Sequence, residues 1–166
     1  MPICAECGHE HPPEELELSF RRPDIVASLQ AEELQARVQE NKDLCVLDGK
    51  RFFIRALLPL PVADRERPYN VGLWVEVSQP TFERVYELWD EDDQAEEPPF
   101  HAEIANDIRI HPPACGLSAS LSLTGAKTRP IVSLSPAEHP LVGEQSRGIT
   151  AHRAAQYSSL FAQNAA

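Results

Sequence analysis

Apolar and polar positions alternate along most of the chain, in runs too short for anything but strands and modest helices. Residues 14–20 (EELELSF) alternate well enough to predict a short extended segment that packs Leu16, Leu18 and Phe20. Pro23 then suits the first turn of a helix, with Asp24 beside it to complement the dipole. Over residues 24–40, Ile25, Leu29, Leu34 and Val38 fall near helical spacing, and one helix is expected there. Asn41-Lys42-Asp43 ends it. Residues 44–47 (LCVL) read as a buried strand, Asp48-Gly49 as a tight hairpin turn, and residues 51–58 as the return strand. Pro59 and Pro61 are expected to stop the pairing, since proline offers no ladder donor. Residues 70–78 (NVGLWVEVS) form the next expected strand. Pro80 opens a helix in which Phe82, Val85, Tyr86 and Trp89 make an apolar stripe at i, i+3, i+4 and i+7.

The second half changes character. Residues 90–97 (DEDDQAEE) hold six carboxylates and are followed by Pro98-Pro99. The spacing of a calcium loop, with its central glycine and closing glutamate, is missing, so residues 90–99 read as a solvated, mobile acidic loop. Strands are expected again over 100–105, 117–123 and 130–134. The strict alternation of LSASLSL puts leucines on one face and Ser118, Ser120 and Ser122 on the other. A short helix over 139–147 and a last one, capped by Thr150 and running to about residue 163, complete the chain. No internal repeat is visible. Strands grouped with flanking helices and a hairpin, rather than alternating βαβ units, point to an α+β fold: a single domain over residues 1–166 with a largely antiparallel sheet flanked by helices.

Charge narrows the function classes. The 166 residues carry 15 basic and 26 acidic side chains, a net charge of -11. A general nucleic-acid binder needs a basic face, and an anionic membrane surface attracts the same, so neither partner is expected. The balance is uneven: residues 1–107 hold 10 basic and 24 acidic groups, and residues 108–166 hold 5 and 2. No apolar run approaches the length of a membrane span, and the amino terminus lacks the basic and apolar regions of a secretory signal, so a cytoplasmic location is expected.

Two sets of residues suggest chemistry. Cys4-Ala5-Glu6-Cys7-Gly8 reads as a zinc knuckle: two intervening residues let both sulfurs face one ion, and the glycine permits the tight turn. His9 or His11 supplies a third ligand, and the fourth comes from Cys45, Cys115, His101, His111 or His152. The competing readings are a redox pair, disfavoured by Pro12-Pro13 where a helix should begin, and plain unliganded thiols. The second set is Arg55, Trp74, His139, Glu144, Gln145 and His152, in which a histidine and a carboxylate would perform acid–base work if they shared a cleft. The structural account is that His139 marks the start of a helix at Pro140, that Glu144 and Gln145 are solvated helix residues, and that Arg55 and Trp74 are a buried pair on neighbouring strands.

The chain resembles an uncharacterised bacterial family, the domain of unknown function 2199 (DUF2199). The resemblance is carried by Cys4-x-x-Cys7-Gly8-x-x-His11, Asp43-Leu44-Cys45-Val46, Phe52-Phe53-Ile54-Arg55 leading to Leu60-Pro61-Val62, and Gly72-Leu73-Trp74-Val75-Glu76-Val77-Ser78 with Phe82. It continues in Glu138-His139-Pro140-Leu141, Glu144-Gln145, Gly148-Ile149-Thr150 and Arg153. Where the family pattern has an aromatic before the Gly-x-Trp element, this chain has Val71. The resemblance implies a small, cytosolic bacterial protein and supplies no activity. It favours His11 over His9 and makes Cys45 the fourth ligand, giving a structural Zn2+ site of Cys4, Cys7, His11 and Cys45. Two functional readings follow. One is a zinc-stabilised binding or interaction protein whose acidic surface meets another protein, a basic one. The other is an enzyme with its site between the sheet (Arg55, Trp74) and the HPLVGEQ segment (His139, Glu144), which requires those four residues to converge. A catalytic metal site with an open coordination position is a third.

Overall fold

Alternate side chains of one long strand decide the architecture. The computed structural model describes residues 16–164, with side chains as far as Leu160. In the ten-residue strand Arg51–Leu60, the residues Phe52, Ile54, Ala56, Leu58 and Leu60 are buried on one face, and Arg55, Leu57 and Pro59 are half-buried on the other. This strand, β3, follows β1 (Val38–Glu40) and β2 (Leu44–Leu47) and precedes β4 (Tyr69–Val77), β5 (Phe100–Ile104), β6 (Ser118–Ser122) and β7 (Ile131–Leu134). Neighbours in the order β1 to β7 are all antiparallel, and β3 also pairs in parallel with β7 at Leu57–Ile131. Strands β3 to β7 therefore close into a five-stranded barrel, with β1 and β2 as an extension of its wall. The α+β class and the mainly antiparallel pairing stand, but the sheet is not open: it curls until its first long strand meets its last.

The barrel interior takes every second residue of each strand. Val71, Leu73 and Val75 of β4, Ala102 and Ile104 of β5, Ala119 and Leu121 of β6 and Val132 of β7 all bury there, while Ser118, Ser120 and Ser122 lie on the other face as their alternation requires. Asp48 and Gly49 adopt φ of 56° and 64° and turn the chain between β2 and β3, with Lys50 N–H donating to the Leu47 carbonyl at 3.0 Å and Leu47 pairing with Arg51.

Helix α3 (Gln79–Leu88) closes one end. Ser78 caps it by accepting the Thr81 N–H at 3.3 Å, Val85 is buried, and the Phe82 ring lies 5.1 Å from that of Phe52. Tyr86, expected on the buried stripe, is 67% exposed. Phe82, Val85, Leu88 and Trp89 pack against the core, and Tyr86 points away from it. The acidic segment that follows is exposed but carries an anchor: a 3-10 turn at Gln94–Glu96 buries Gln94, whose amide donates to the Leu88 and Trp89 carbonyls at 2.9 and 3.1 Å.

Three other expectations change. The helix over residues 24–40 is replaced by α1 (Asp24–Ala27), α2 (Ala31–Arg37) and strand β1. Ser28 folds its hydroxyl onto the Ile25 carbonyl and closes the first turn, and Val38–Glu40 gains more from pairing with Leu47–Cys45 than a β-branched residue gains in a helix. Leu16 is 71% exposed, whereas Leu18 is fully buried and Phe20 half-buried. The segment lies beside β4, with Gly72 donating to the Leu18 carbonyl and Phe20 donating to that of Gly72.

Pairing of β3 also runs past Pro59, to Leu60–Tyr69. The reason is the direction of the missing donor. Leu57 N–H points toward β7 and donates to the Pro130 carbonyl at 2.9 Å, so the position two residues on faces the same side. Pro59 costs the β4 ladder nothing, but it deprives the β3–β7 seam of its next rung. Gln145 of α4 (Pro140–Arg147) fills that place. Its amide nitrogen donates to the Val132 carbonyl at 2.9 Å and approaches that of Pro59 at 3.5 Å, while its oxygen accepts the Leu134 N–H at 2.8 Å. Gln145→Ala should therefore lower stability by about 2 kcal/mol, the cost of half-buried backbone groups left without partners. Urea denaturation beside Ser146→Ala, which touches only its own helix, checks this; equal midpoints would refute the seam's dependence on Gln145.

Candidate functional site

Of the residues named from the sequence, Arg55 and Trp74 are direct cross-strand partners on the barrel's outer wall. Trp74 Nε1 donates to the Phe20 carbonyl at 3.0 Å, and the Trp74 backbone N–H donates to Asn106 Oδ1 at 2.8 Å. Arg55 reaches the Ser19 hydroxyl and the Lys42 carbonyl. Both are covered by the segment that leads into the first strand. Burial, with repulsion from Arg129, holds the Arg55 guanidinium below its ordinary pKa. Cys45 lies on the same wall, fully buried with Val26, Leu47, Phe53 and Trp74. Burial first, then the nearby Glu40, pushes its thiol up to about 12 against the pull of Arg22. Cys4, Cys7 and His11 lie outside the described residues.

His139 and Glu144 are placed elsewhere, at the end of the barrel opposite α3, where α4 and α5 (Ala151–Asn164) pack. Here Tyr157 of α5 is fully buried, with its ring 5.7 Å from that of Tyr69. His139 is the N-cap of α4: its Nδ1 accepts the Leu141 N–H at 3.0 Å, so its proton sits on Nε2, which donates to the Pro112 and Pro113 carbonyls at 3.1 and 3.2 Å. Both ring nitrogens are thus engaged. The ring also lies 5.8 Å from that of His111.

Glu144 is the hub of this end. One oxygen receives His111 Nε2 at 2.6 Å and the Tyr157 hydroxyl; the other receives Arg153 Nε at 2.7 Å. The His111 side chain is 1% exposed and that of Glu144 17%. Burial would raise the Glu144 pKa, but donation by His111, Tyr157 and Arg153 outweighs it and holds the carboxyl down at about 2. Tyr157 shifts upward, through burial and the adjoining carboxylate. A carboxylate so completely satisfied is a poor general base. It acts as a clamp that ties the loop between β5 and β6 to α4 and α5. The sequence does not group His111, Tyr157 and Arg153 with Glu144, because they lie 33, 13 and 9 positions away from it. Only the shared family motifs at Glu144 and Arg153 hinted at it.

The structure thus gathers His139 and Glu144 around His111 and keeps Arg55 and Trp74 on the outer wall, engaged with other partners. A second polar knot lies where the loop after β5 begins. Asp24 accepts from Asn106 Nδ2 and the Asp107 N–H, and Asp107 accepts from the Ala114 and Cys115 N–H groups. Ligand atoms of Asp24, Asp107 and Cys115 lie within 4.8 Å of one another. Their carboxylates are already bonded to backbone, which makes the knot a loop fastening. Among the described residues, no helix is long and apolar enough to cross a membrane.

The chain matches, over residues 3–149, the family described as an uncharacterized protein conserved in bacteria (DUF2199), and it belongs to that family. No curated protein and no solved structure matches it.

The clamp makes a pH-dependent prediction. A carboxyl held at about 2 in the folded state and near 4.5 when free stabilises the fold fully above about pH 4.5, and that contribution disappears as pH falls toward 2. Glu144→Gln should cost about 3 kcal/mol at pH 7, because a carboxamide cannot accept from three donors. The gap between wild type and variant should shrink between pH 4.5 and 2. Urea unfolding at pH 7, 4 and 3 measures it, and a gap that stays constant would refute the clamp.

Proposed function

We propose that the chain is a zinc-stabilised interaction protein of the bacterial cytoplasm, with Cys4, Cys7, His11 and Cys45 as metal ligands and an acidic face that docks a basic protein. The observation that carries the docking reading is the exposed face of α3. Glu83, Tyr86 and Glu87 lie on the helix and Asp90 just beyond its end; all four are exposed, with Tyr86 the most exposed aromatic side chain there. Arg84 is the only cation of this helix and pairs with Glu87 and Glu97. Glu83, Asp90, Glu91, Asp92, Asp93 and Glu96 make no ion pair among the described residues. An aromatic ring set among such carboxylates suits a partner rich in lysine or arginine, which would meet the ring by cation–π contact and the rim by charge. Against the enzyme reading stands the saturation of its acid–base groups: both nitrogens of His139 and both oxygens of Glu144 already have partners.

The zinc half of the reading rests on the Cys4-x-x-Cys7-Gly8 spacing. Its fourth ligand makes a geometric demand. Residue 16 lies near Tyr69, whose hydroxyl accepts the Leu18 N–H, whereas Cys45 sits beside Phe53 and Glu76, seven residues further along β4 or about 23 Å at strand rise. The eight residues between Cys7 and position 16 are long enough to cover that distance.

Elemental analysis of chain purified without chelator should find about one zinc per molecule, lost with a drop in melting temperature in Cys4→Ala. Retention of the metal in Cys45→Ala would move the fourth ligand elsewhere, and metal-free protein indifferent to chelator would end the zinc reading. For the docking face, the wild-type chain should retain a basic protein from bacterial lysate that elutes with salt. The variant Glu83→Lys/Tyr86→Ala/Glu87→Lys should retain none, and equal retention by both would reject α3 as the contact.

A further inference from the structure

A cleft of about 520 Å³ opens beside the Glu144 clamp, between residues 61–63 that follow β3 and the junction of α4 with α5. Its lining combines the apolar Pro61, Val62, Ala63 and Ile149 with Glu144, Arg153 and the exposed Arg147. The backbone holds the two segments in register. Ile149 N–H donates to the Pro61 carbonyl at 2.7 Å and Ala63 N–H to that of Ile149 at 2.9 Å. Gly148 turns between them at φ 91°, where a Cβ would stand 3.0 Å from the Pro61 oxygen.

The two arginines are in different situations. Arg153 is engaged: Nε meets Glu144 at 2.7 Å, an NH1 donor meets Gln156 at 3.0 Å, and its Cζ lies 5.5 Å from the Tyr157 ring centre. Its charge is balanced by Glu144. Arg147 has no acidic partner among the described residues, yet its guanidinium has a defined place. It lies over Gly143, one turn earlier in α4, so closely that a Cβ at 143 would come within 2.6 Å of its NH2 nitrogen. Glycine inside a helix is destabilising relative to alanine. Here the space it leaves is the space the guanidinium occupies. A chain of net charge -11 thus keeps an uncompensated cation seated at the wall of a cleft.

We propose that this cleft binds a ligand with a single carboxylate, gripped by Arg147, and a small apolar body resting on Pro61 and Ala63. The planar fork of a guanidinium matches the two oxygens of a carboxylate. The volume falls in the range of small-ligand sites, and the pairing of apolar side chains with an arginine fits an amphipathic molecule. Charge limits the ligand to one negative unit: Arg147 is the only unbalanced cation of the lining, Glu144 cancels Arg153, and the field of the whole chain repels polyanions. A free short-chain acid and the carboxyl terminus of a peptide present the same group. The site lies at the barrel end opposite α3, and the inference stands if the docking face fails.

The test is a titration of the full chain followed by amide spectra. Butyrate should move the Gly148, Ile149 and Thr150 resonances saturably, and butyramide should not. Arg147→Gln should weaken the response about tenfold, as expected for loss of a charge-assisted pair. Gly143→Ala keeps every charge and favours the helix, but its methyl crowds the flexible end of Arg147, so it should weaken binding by less than Arg147→Gln does, without loss of folding. An acetylated alanine tripeptide with a free carboxyl terminus, binding more tightly than butyrate, would assign the group to a peptide end; equal or weaker binding would assign it to a free acid. The proposal is overturned by an equal response to butyramide or by unchanged affinity in Arg147→Gln. A response to inorganic phosphate alone, lost in Arg147→Gln, would overturn the carboxylate assignment while leaving the cation as the binding group.

Discussion

A barrel of five strands can close only if every backbone group along its seam finds a partner, and here the closing strand carries a proline at the seam. Leu57 makes the one regular rung with β7, and Pro59 has no N–H to make the next. The Val132 carbonyl and Leu134 N–H, both on β7, would otherwise lack partners at the seam. Gln145 supplies a donor and an acceptor from a single carboxamide and stands in for the missing rung. Closure therefore depends on a helix, and α4 must be held against the seam with little freedom to slide.

The rest of that end follows from this requirement. Glu144 precedes Gln145, and neighbouring positions on a helix point roughly 100° apart. While Gln145 enters the seam, Glu144 faces the loop carrying His111 and the helix carrying Tyr157 and Arg153. Its three donors fasten α4 from a second direction, and His139 fixes its start by capping it and binding two loop carbonyls. Helix α4 is thus pinned at its beginning and on two faces. The chain leaves it through Gly148, whose positive φ lets the backbone run against Pro61. The cleft is what remains between two segments that cannot approach further.

What the sequence made legible was local. The Asp48-Gly49 turn, the helix start at His139, the serine face of β6 and the limits of most strands each depend on residues a few positions apart, and each stands as read. Where a local pattern met a distant partner, the distant partner won. The 24–40 helix yielded its last three residues to β2, Pro59 remained in its strand because its missing donor faces β7, and Tyr86 stayed outside while Phe82, Val85, Leu88 and Trp89 pack against the core. The candidate site was half legible. His139 and Glu144 do belong to one polar centre, but His111, Tyr157 and Arg153 join it only through tertiary folding. Arg55 and Trp74 looked reactive in sequence because an arginine and a tryptophan on adjacent strands can line a pocket as well as a wall. Burial under Ser19 and Phe20 settles them as wall.

Charge is distributed along the same axis as the barrel. Helix α3 and the acidic turn after it close the end at Phe52 and Val77; α4 and α5, from the part of the chain with 5 basic and 2 acidic residues, close the end at Leu60 and Tyr69. The helix that covers the α3 end is thus the more acidic one, while Glu17, Asp64 and Glu66 place carboxylates toward the other end as well. If the proposed docking holds, a basic protein would be steered toward the carboxylates of the α3 end before contact, and at 0.15 M salt such steering acts within about 8 Å. A small monoanion is repelled by the whole and admitted only where Arg147 locally reverses the sign. Two ligands of opposite charge could therefore occupy opposite ends without competing for surface. Because the barrel joins those ends through continuous strands, any coupling between them would have to pass through β3 and β4. Each of these strands is hydrogen-bonded along both edges for part of its length, which restrains such a movement. The construction favours two independent sites over a switch.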